Sequence, residues 1–138
     1  MGIFLEGRVS SLTNYVTLLN CYGPYKERLP FWQLVGSSGV LKVDSLIMGG
    51  DLNLTTSARE VWGVRSRLDP LADFFSGLFD AVGLVDVTPR KLGPTCRNGR
   101  AGGDGISKRL DRFLINNHFI EGNFRSRSST INSQYFRS

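Results

Sequence analysis

Residues 69–83 carry the pattern that most narrows the folds open to this chain. Leu71, Phe74, Phe75, Leu78, Phe79 and Val82 recur at three- and four-residue spacing and so line one stripe of an α-helix. Asp69-Pro70 supplies a capping side chain and a proline for the first helical position, and Gly83 supplies the stop. Such a stripe needs a core to cover it, and the segments on either side read as strands. Tyr15–Tyr22 is rich in β-branched and aromatic residues and stops at Gly23-Pro24; residues 3–9 form a weaker strand, its hairpin partner. Val43–Met48 is a second buried strand cut off by Gly49-Gly50. Leu84–Val87 is a short strand and Leu110–Ile115 a stronger one. Between the first two, Leu29, Trp32 and Val35 place a short helix over residues 26–35, with Pro30 in its first turn. Strands interleaved with helices predict an α/β or α+β domain.

Composition limits what such a domain does. At 138 residues and 41% hydrophobic content the chain has room for one core of ordinary size. No apolar run reaches the length of a membrane helix, and the N-terminus lacks a secretory pattern, so a soluble intracellular domain without membrane partners is expected. Two cysteines, Cys21 and Cys96, make no disulfide framework or zinc motif, and a single histidine, His118, excludes any site that needs two. Charge is uneven. Residues 1–89 hold seven Lys/Arg against nine Asp/Glu, whereas residues 90–138 hold ten against three. A basic segment of this kind suits either a phosphate-backbone binder or a solvated tail, and residues 118–138 read as a loose basic tail.

Three short motifs carry candidate chemistry. Gly49-Gly50-Asp51-Leu52-Asn53 follows a strand and presents a carboxylate and an amide two residues apart. That pair suits holding a water or a phosphate oxygen, and equally a local turn in which both side chains bond backbone. In Ser107-Lys108-Arg109-Leu110-Asp111-Arg112-Phe113-Leu114, strand alternation would place Arg109, Asp111 and Phe113 on one face and Leu110, Arg112 and Leu114 on the other. An aspartate there needs a partner, either a neighbouring arginine or a catalytic imidazole. Tyr22, in Asn20-Cys21-Tyr22-Gly23-Pro24, is placed either to donate to a phosphate or to pack beside a turn.

In this order and spacing the three motifs resemble the endonuclease/exonuclease/phosphatase superfamily, with the nearest likeness to the apurinic-endonuclease-like domains of plant LINE-type (non-LTR) retrotransposons. Supporting stretches are Tyr25–Arg28, Arg59–Gly63, Leu68–Leu71, Gly83–Val87 and Pro94–Asn98. The resemblance implies a four-layer αββα sandwich and Mg²⁺-dependent hydrolysis of nucleic-acid phosphodiesters, with DNA as partner and the nucleus as the place of work. By the same analogy Tyr22 and Arg109 contact the substrate, Asp51 positions or activates the attacking water, Asn53 holds that water or the developing phosphorane charge, and Asp111 orients a catalytic histidine.

The sequence also departs from that family. It matches roughly the C-terminal half of the domain, over residues 1–117. The family's metal-ligating Glu motif and closing Ser-Asp-His motif have no counterpart, and Cys96 stands where a tryptophan is usual. His118 lies only seven residues from Asp111 and is not assigned the catalytic role. These departures predict no metal ligand within the chain, negligible activity alone, and at most nucleic-acid binding through the basic C-terminal third. A sheet face lacking its partner layer further predicts self-association.

Overall fold

The computed structural model describes residues 2–8, 15–100 and 102–118. The 119–138 stretch of the expected basic tail lies outside them. Among the described residues eight strands and two α-helices form: β1 (Gly2–Arg8), β2 (Tyr15–Cys21), α1 (Arg28–Ser37), β3 (Leu46–Asp51), β4 (Val61–Trp62), α2 (Ala72–Val82), β5 (Leu84–Asp86), β6 (Cys96–Arg97), β7 (Ser107–Lys108) and β8 (Asp111–Asn116). The fold class is mixed α and β, as the patterning predicted.

Five strands make the main sheet, in the order β1-β2-β3-β8-β5, and β4-β7-β6 make a second, small one. β1 and β2 form the expected antiparallel hairpin. β2 and β3 are parallel, so the chain must cross over between them, and α1 with the short 3₁₀ turn Val40–Lys42 makes that crossover. β8 then inserts antiparallel between β3 and β5.

Alternation along these strands sends Leu19, Cys21, Leu46, Met48, Leu84 and Leu114 to one face, where they join Trp32 of α1 and Phe75, Phe79 and Val82 of α2 in the main core. Trp32 sits at its centre, fully buried, with its ring edge-on to Phe31 and Phe75. The opposite face carries Val16 and Ile115, both buried, with Ile47 and Val87 packed beside them, and it also carries the exposed Leu18, Val85 and Phe113. No described helix is long and apolar enough to cross a membrane.

The helices follow the expected pattern with shifted ends. α1 starts and stops two residues late, and Pro30 falls in its first turn. α2 begins at Ala72, because Asp69 caps the preceding turn: its carboxylate accepts the Leu71 N–H at 3.0 Å and its carbonyl accepts the Ala72 N–H at 3.0 Å. Gly83 ends the helix in the left-handed region at φ 70°. The larger correction concerns β3. It starts at Leu46, three residues later than expected, and runs through Gly49-Gly50 to Asp51. Both glycines serve close packing inside the sheet. A methyl on Gly50 (φ 132°) would run into the Cys21 carbonyl oxygen of β2, and one on Gly49 would stand 2.8 Å from the Phe113 ring of β8.

Candidate functional site

β2, β3 and β8 end together at one edge of the main sheet, and their register builds the site. Asn20 lies opposite Gly49, Gly49 opposite Phe113, and Asp51 opposite Asp111. Continuing the parallel register by two residues sets Tyr22 beside Asp51, and the Gly23 N–H donates to the Asp51 carbonyl at 2.8 Å. Tyr22, Asp51 and Asp111 therefore form a row across three adjacent strands, on the face turned away from the helices. Tyr22 is 60% exposed, Asp51 is half-buried and Asp111 is exposed. Like charges set opposite one another weaken a strand pair unless a cation or a proton lies between them.

Both readings of the Asp51–Asn53 segment meet in one geometry. Asp51 Oδ1 accepts the Asn53 N–H at 2.9 Å, a local turn that uses one carboxylate oxygen. Asn53 is left-handed at φ 51°, and its Nδ2 donates to the Gly23 carbonyl at 2.6 Å. The turn thus locks the Asn53 amide beside the end of β2, next to the row.

Arg109 goes elsewhere than the alternation expected. β7 ends at Lys108 and β8 begins at Asp111, so residues 109–110 are outside both strands and the strand phase breaks between them. Arg109 is buried on the side of Arg112, away from Asp111. Its Nη1 donates to Glu60 Oε1 (2.7 Å) and Asp86 Oδ2 (2.9 Å), and its Nη2 to Asp86 Oδ1 (2.8 Å). Arg112 donates to the same two acids, through Nη1 to Asp86 Oδ2 (2.6 Å) and through Nη2 to Glu60 Oε2 (3.0 Å). Two guanidiniums and two carboxylates close a ring with no net charge. Burial raises the Glu60 carboxyl, but the hydrogen bond and charge of Arg112, the Thr56 N–H and Arg109 outweigh it and hold Glu60 below its ordinary value. Burial likewise works against the charged form of Arg109, and Asp86 and Glu60 overcome it and raise its pKa. Glu60 lies in the Arg59–Gly63 stretch, which the sequence marks only by its family likeness and not as an ion-pair partner. The sequence signal that could have found it is the pair of arginines flanking Leu110-Asp111, since two cations beside a buried strand require acids within reach.

The ring fastens the small sheet to the main one, and Thr95 fastens the turn between β7 and β8. Its hydroxyl oxygen accepts the Leu110 N–H at 2.9 Å and the Asp111 N–H at 3.0 Å. Thr95→Val keeps the shape but removes the acceptor from both donors. Each lost bond is worth roughly 1 kcal/mol, so a drop of about 1–2 kcal/mol is expected in urea unfolding, with faster amide exchange at Leu110 and Asp111.

Beside Asn53 opens a cleft of about 690 Å³ lined by Tyr25, Arg28, Asn53, Arg67, Lys108 and Leu110, among others. Sequence reasoning did not find it, because its walls come from separated turns. Its two cationic groups besides Arg28 suit an anionic ligand, and Tyr25, 82% exposed at its lip, offers an aromatic surface.

A magnesium site is not completed by these residues. An octahedral hard cation takes several oxygen ligands, whereas no group of three or more His, Cys, Asp or Glu side chains among the described residues is placed to hold a metal. Asp51 and Asp111 face each other as a pair only. His118 is beyond the far end of β8, its N–H donating to Asn116 Oδ1 at 2.9 Å. At about 3.3 Å per strand residue it is roughly 20 Å from Asp111, out of reach of the row.

No protein-family model and no curated protein matches the sequence. Among solved structures the chain is similar to the endonuclease domain of TRAS1, a telomere-specific non-LTR retrotransposon, with a TM-score of 0.63 and 19% identity. The two share a fold over the matched stretch. The match covers 87% of this chain and 52% of the TRAS1 domain, so this chain spans about half the length of that solved structure. In this chain the cross-strand row and the cleft lie together at one end of the main sheet.

Proposed function

We propose that this chain forms the part of a nucleic-acid phosphodiesterase domain that holds a phosphate and its attacking water, and that its 138 residues alone do not complete the reaction. The observation that carries the reading is the row Tyr22–Asp51–Asp111 across three strands, with the Asn53 amide locked beside it. Tyr22 would donate its hydroxyl to a non-bridging phosphate oxygen. The Asp51 oxygen outside the local turn would orient the water and accept its proton, and the Asn53 amide would hold that water or the charge developing on phosphorus. Asp111, at the end of the row, would fix the tautomer of an imidazole approaching from outside the described residues. Magnesium dependence belongs to this proposal, and its ligand set needs further carboxylates than the row contains.

Two absences from the row set the expected rate. Proton transfer by a positioned group is worth roughly 10²–10⁴-fold, and phosphate hydrolysis without charge neutralisation loses more. The expected result is no nicking of supercoiled or abasic plasmid DNA by the purified chain with Mg²⁺. Nicking that disappears in Asp51→Ala and Asn53→Ala variants would overturn the inactivity and establish a working enzyme.

A second reading, a chain that binds nucleic acid without cutting it, draws on the cations Arg67 and Lys108 in the cleft and on the basic C-terminal third. It predicts an affinity for a short DNA duplex that falls steeply with salt, about tenfold per few released counterions over a severalfold rise in ionic strength. Binding that ignores salt would count against phosphate contacts.

A further inference from the structure

The first residue of α1 reaches across the cleft wall to the loop that carries Asn53. Arg28 Nη1 donates to Asp69 Oδ2 at 2.5 Å and to the Asn53 carbonyl at 3.2 Å, while Nη2 donates to Asp69 Oδ1 at 2.9 Å. The guanidinium lies over the Phe75 ring, 5.7 Å from its centroid. Asp69 is almost fully covered, with 7% of its side chain exposed, and accepts two further N–H groups, from Leu71 at 3.0 Å and Thr55 at 3.4 Å. One ion pair therefore gathers three separate segments: the start of α1, residues 53–55 and the turn that opens α2. Arg28 presents two parallel N–H donors to one carboxylate and still bonds a carbonyl, an arrangement a lysine cannot copy.

Asn53 needs holding. A side-chain-bearing residue in the left-handed region persists only where its surroundings fix it, and Asn53 stands there at φ 51°. Asp51 holds its N–H and Gly23 holds its Nδ2, while Arg28 holds its carbonyl. We propose that Arg28 and Asp69 are a positioning pair for Asn53, which keeps the Asn53 amide in one orientation at the edge of the cleft. The importance of that orientation to function rests on the phosphodiesterase reading above; the positioning itself does not.

A plain tether between helices would hold the fold together without fixing Asn53, and the two roles separate by nuclear magnetic resonance on the full chain. The probes are the Asn53 side-chain and backbone amides, compared with the core amides of Met48 and Leu114. Arg28→Ala is expected to shift both Asn53 resonances and to speed solvent exchange of its side-chain amide at least tenfold, with core exchange changing far less. Arg28→Lys, which keeps the charge and most of the volume, should show the same shifts in reduced form and covers the case in which the alanine variant fails to fold. Leu78→Ala, a partly buried core truncation remote from the pair, should lower stability yet leave the Asn53 resonances in place. The proposal is overturned if Asn53 is unmoved in the Arg28 variants, or if Leu78→Ala moves it equally. Because this readout is independent of DNA, a responsive Asn53 combined with no DNA binding or nicking would refute the functional reading while leaving the positioning pair intact.

Discussion

Arg112→Met should cost roughly 3–5 kcal/mol, the range measured when one partner of a buried ion pair is removed, against a total of about 5–15 kcal/mol for an ordinary domain. The Arg112 side chain has no exposed surface, and those of Glu60 and Arg109 are 5% and 4% exposed, so solvent screening does little to soften the loss. Without Arg112, Glu60 and Asp86 share a single cation, and the ring carries a net negative charge in a buried site. Neutralising one acid restores the balance. The double variant Glu60→Gln/Arg112→Met should therefore recover part of the stability, a non-additivity that a double-mutant cycle in urea measures directly. A loss below about 1 kcal/mol for Arg112→Met would show that the ring contributes no more than a surface pair.

The same ring sets an acid limit. Glu60 titrates below its ordinary value in the folded chain, so its contribution is fully present above the unfolded carboxylate value and is lost as pH falls through the lowered folded one. Asp69 behaves alike: burial raises its carboxyl, and the bond from Arg28, the Leu71 N–H, the Arg28 charge and the Thr55 N–H bring it down past its ordinary value. Stability should accordingly fall on the acid side of the ordinary carboxylate range, and the fall should flatten in the Glu60→Gln/Arg112→Met variant.

Gly50→Ala and Gly23→Ala form the second large prediction. A methyl on Gly50 meets the Cys21 carbonyl oxygen, and Gly50 also stands at φ 132°, where side chains are strained. A methyl on Gly23 meets the Leu52 carbonyl oxygen. In both cases the obstacle is backbone, which cannot rotate aside. Steric overlap and backbone strain each cost about 1–3 kcal/mol, so Gly50→Ala should lose about 3 kcal/mol or more and Gly23→Ala about 2–3 kcal/mol. Gly39→Ala is the control. It too has positive φ, at 83°, but no atom stands within 4 Å of the added methyl, so only the strain of about 1 kcal/mol is expected. Equal losses at Gly39 and Gly50 would show that strand packing at the site is looser than the structure has it.

The parts of the molecule legible in the sequence are those fixed by local rules. The stripe from Leu71 to Val82 announces α2, and the β-branched and aromatic run of residues 15–21 announces β2, because side-chain periodicity alone decides which face is buried. Tyr22, Asp51 and Asp111 could be singled out from motif order, and strand register then set them in one row. The illegible parts depend on chain segments far apart in sequence. Gly49-Gly50 looked like a strand terminator because glycine commonly marks a turn, and the reason for glycine here lies in the carbonyl of β2 and the ring of β8. Strand alternation carried through residues 109–110 sets Arg109 on the face of Asp111, but those two residues lie outside both strands and the phase breaks there. Glu60 and Arg28 lie in stretches that carry the family likeness, but nothing local shows that either belongs to an ion pair. The arginines that pair with Glu60 are 49 and 52 residues away and the aspartate that pairs with Arg28 is 41 away, so their meaning exists only in the folded chain.

The position of β8 has a consequence for the order in which the molecule assembles. Tyr22 follows β2 and Asp51 ends β3, two strands joined by one crossover, so their half of the row can form once the chain up to Asp51 has left the ribosome. Asp111 pairs with Asp51 at a sequence separation of sixty, and contacts of such long range are the slow ones to close. Until β8 arrives, β3 keeps an open edge that any other strand of suitable sequence can occupy. The candidate site is therefore completed by the last of the described strands, and a chain interrupted before residue 111 would display half a row and a vacant edge.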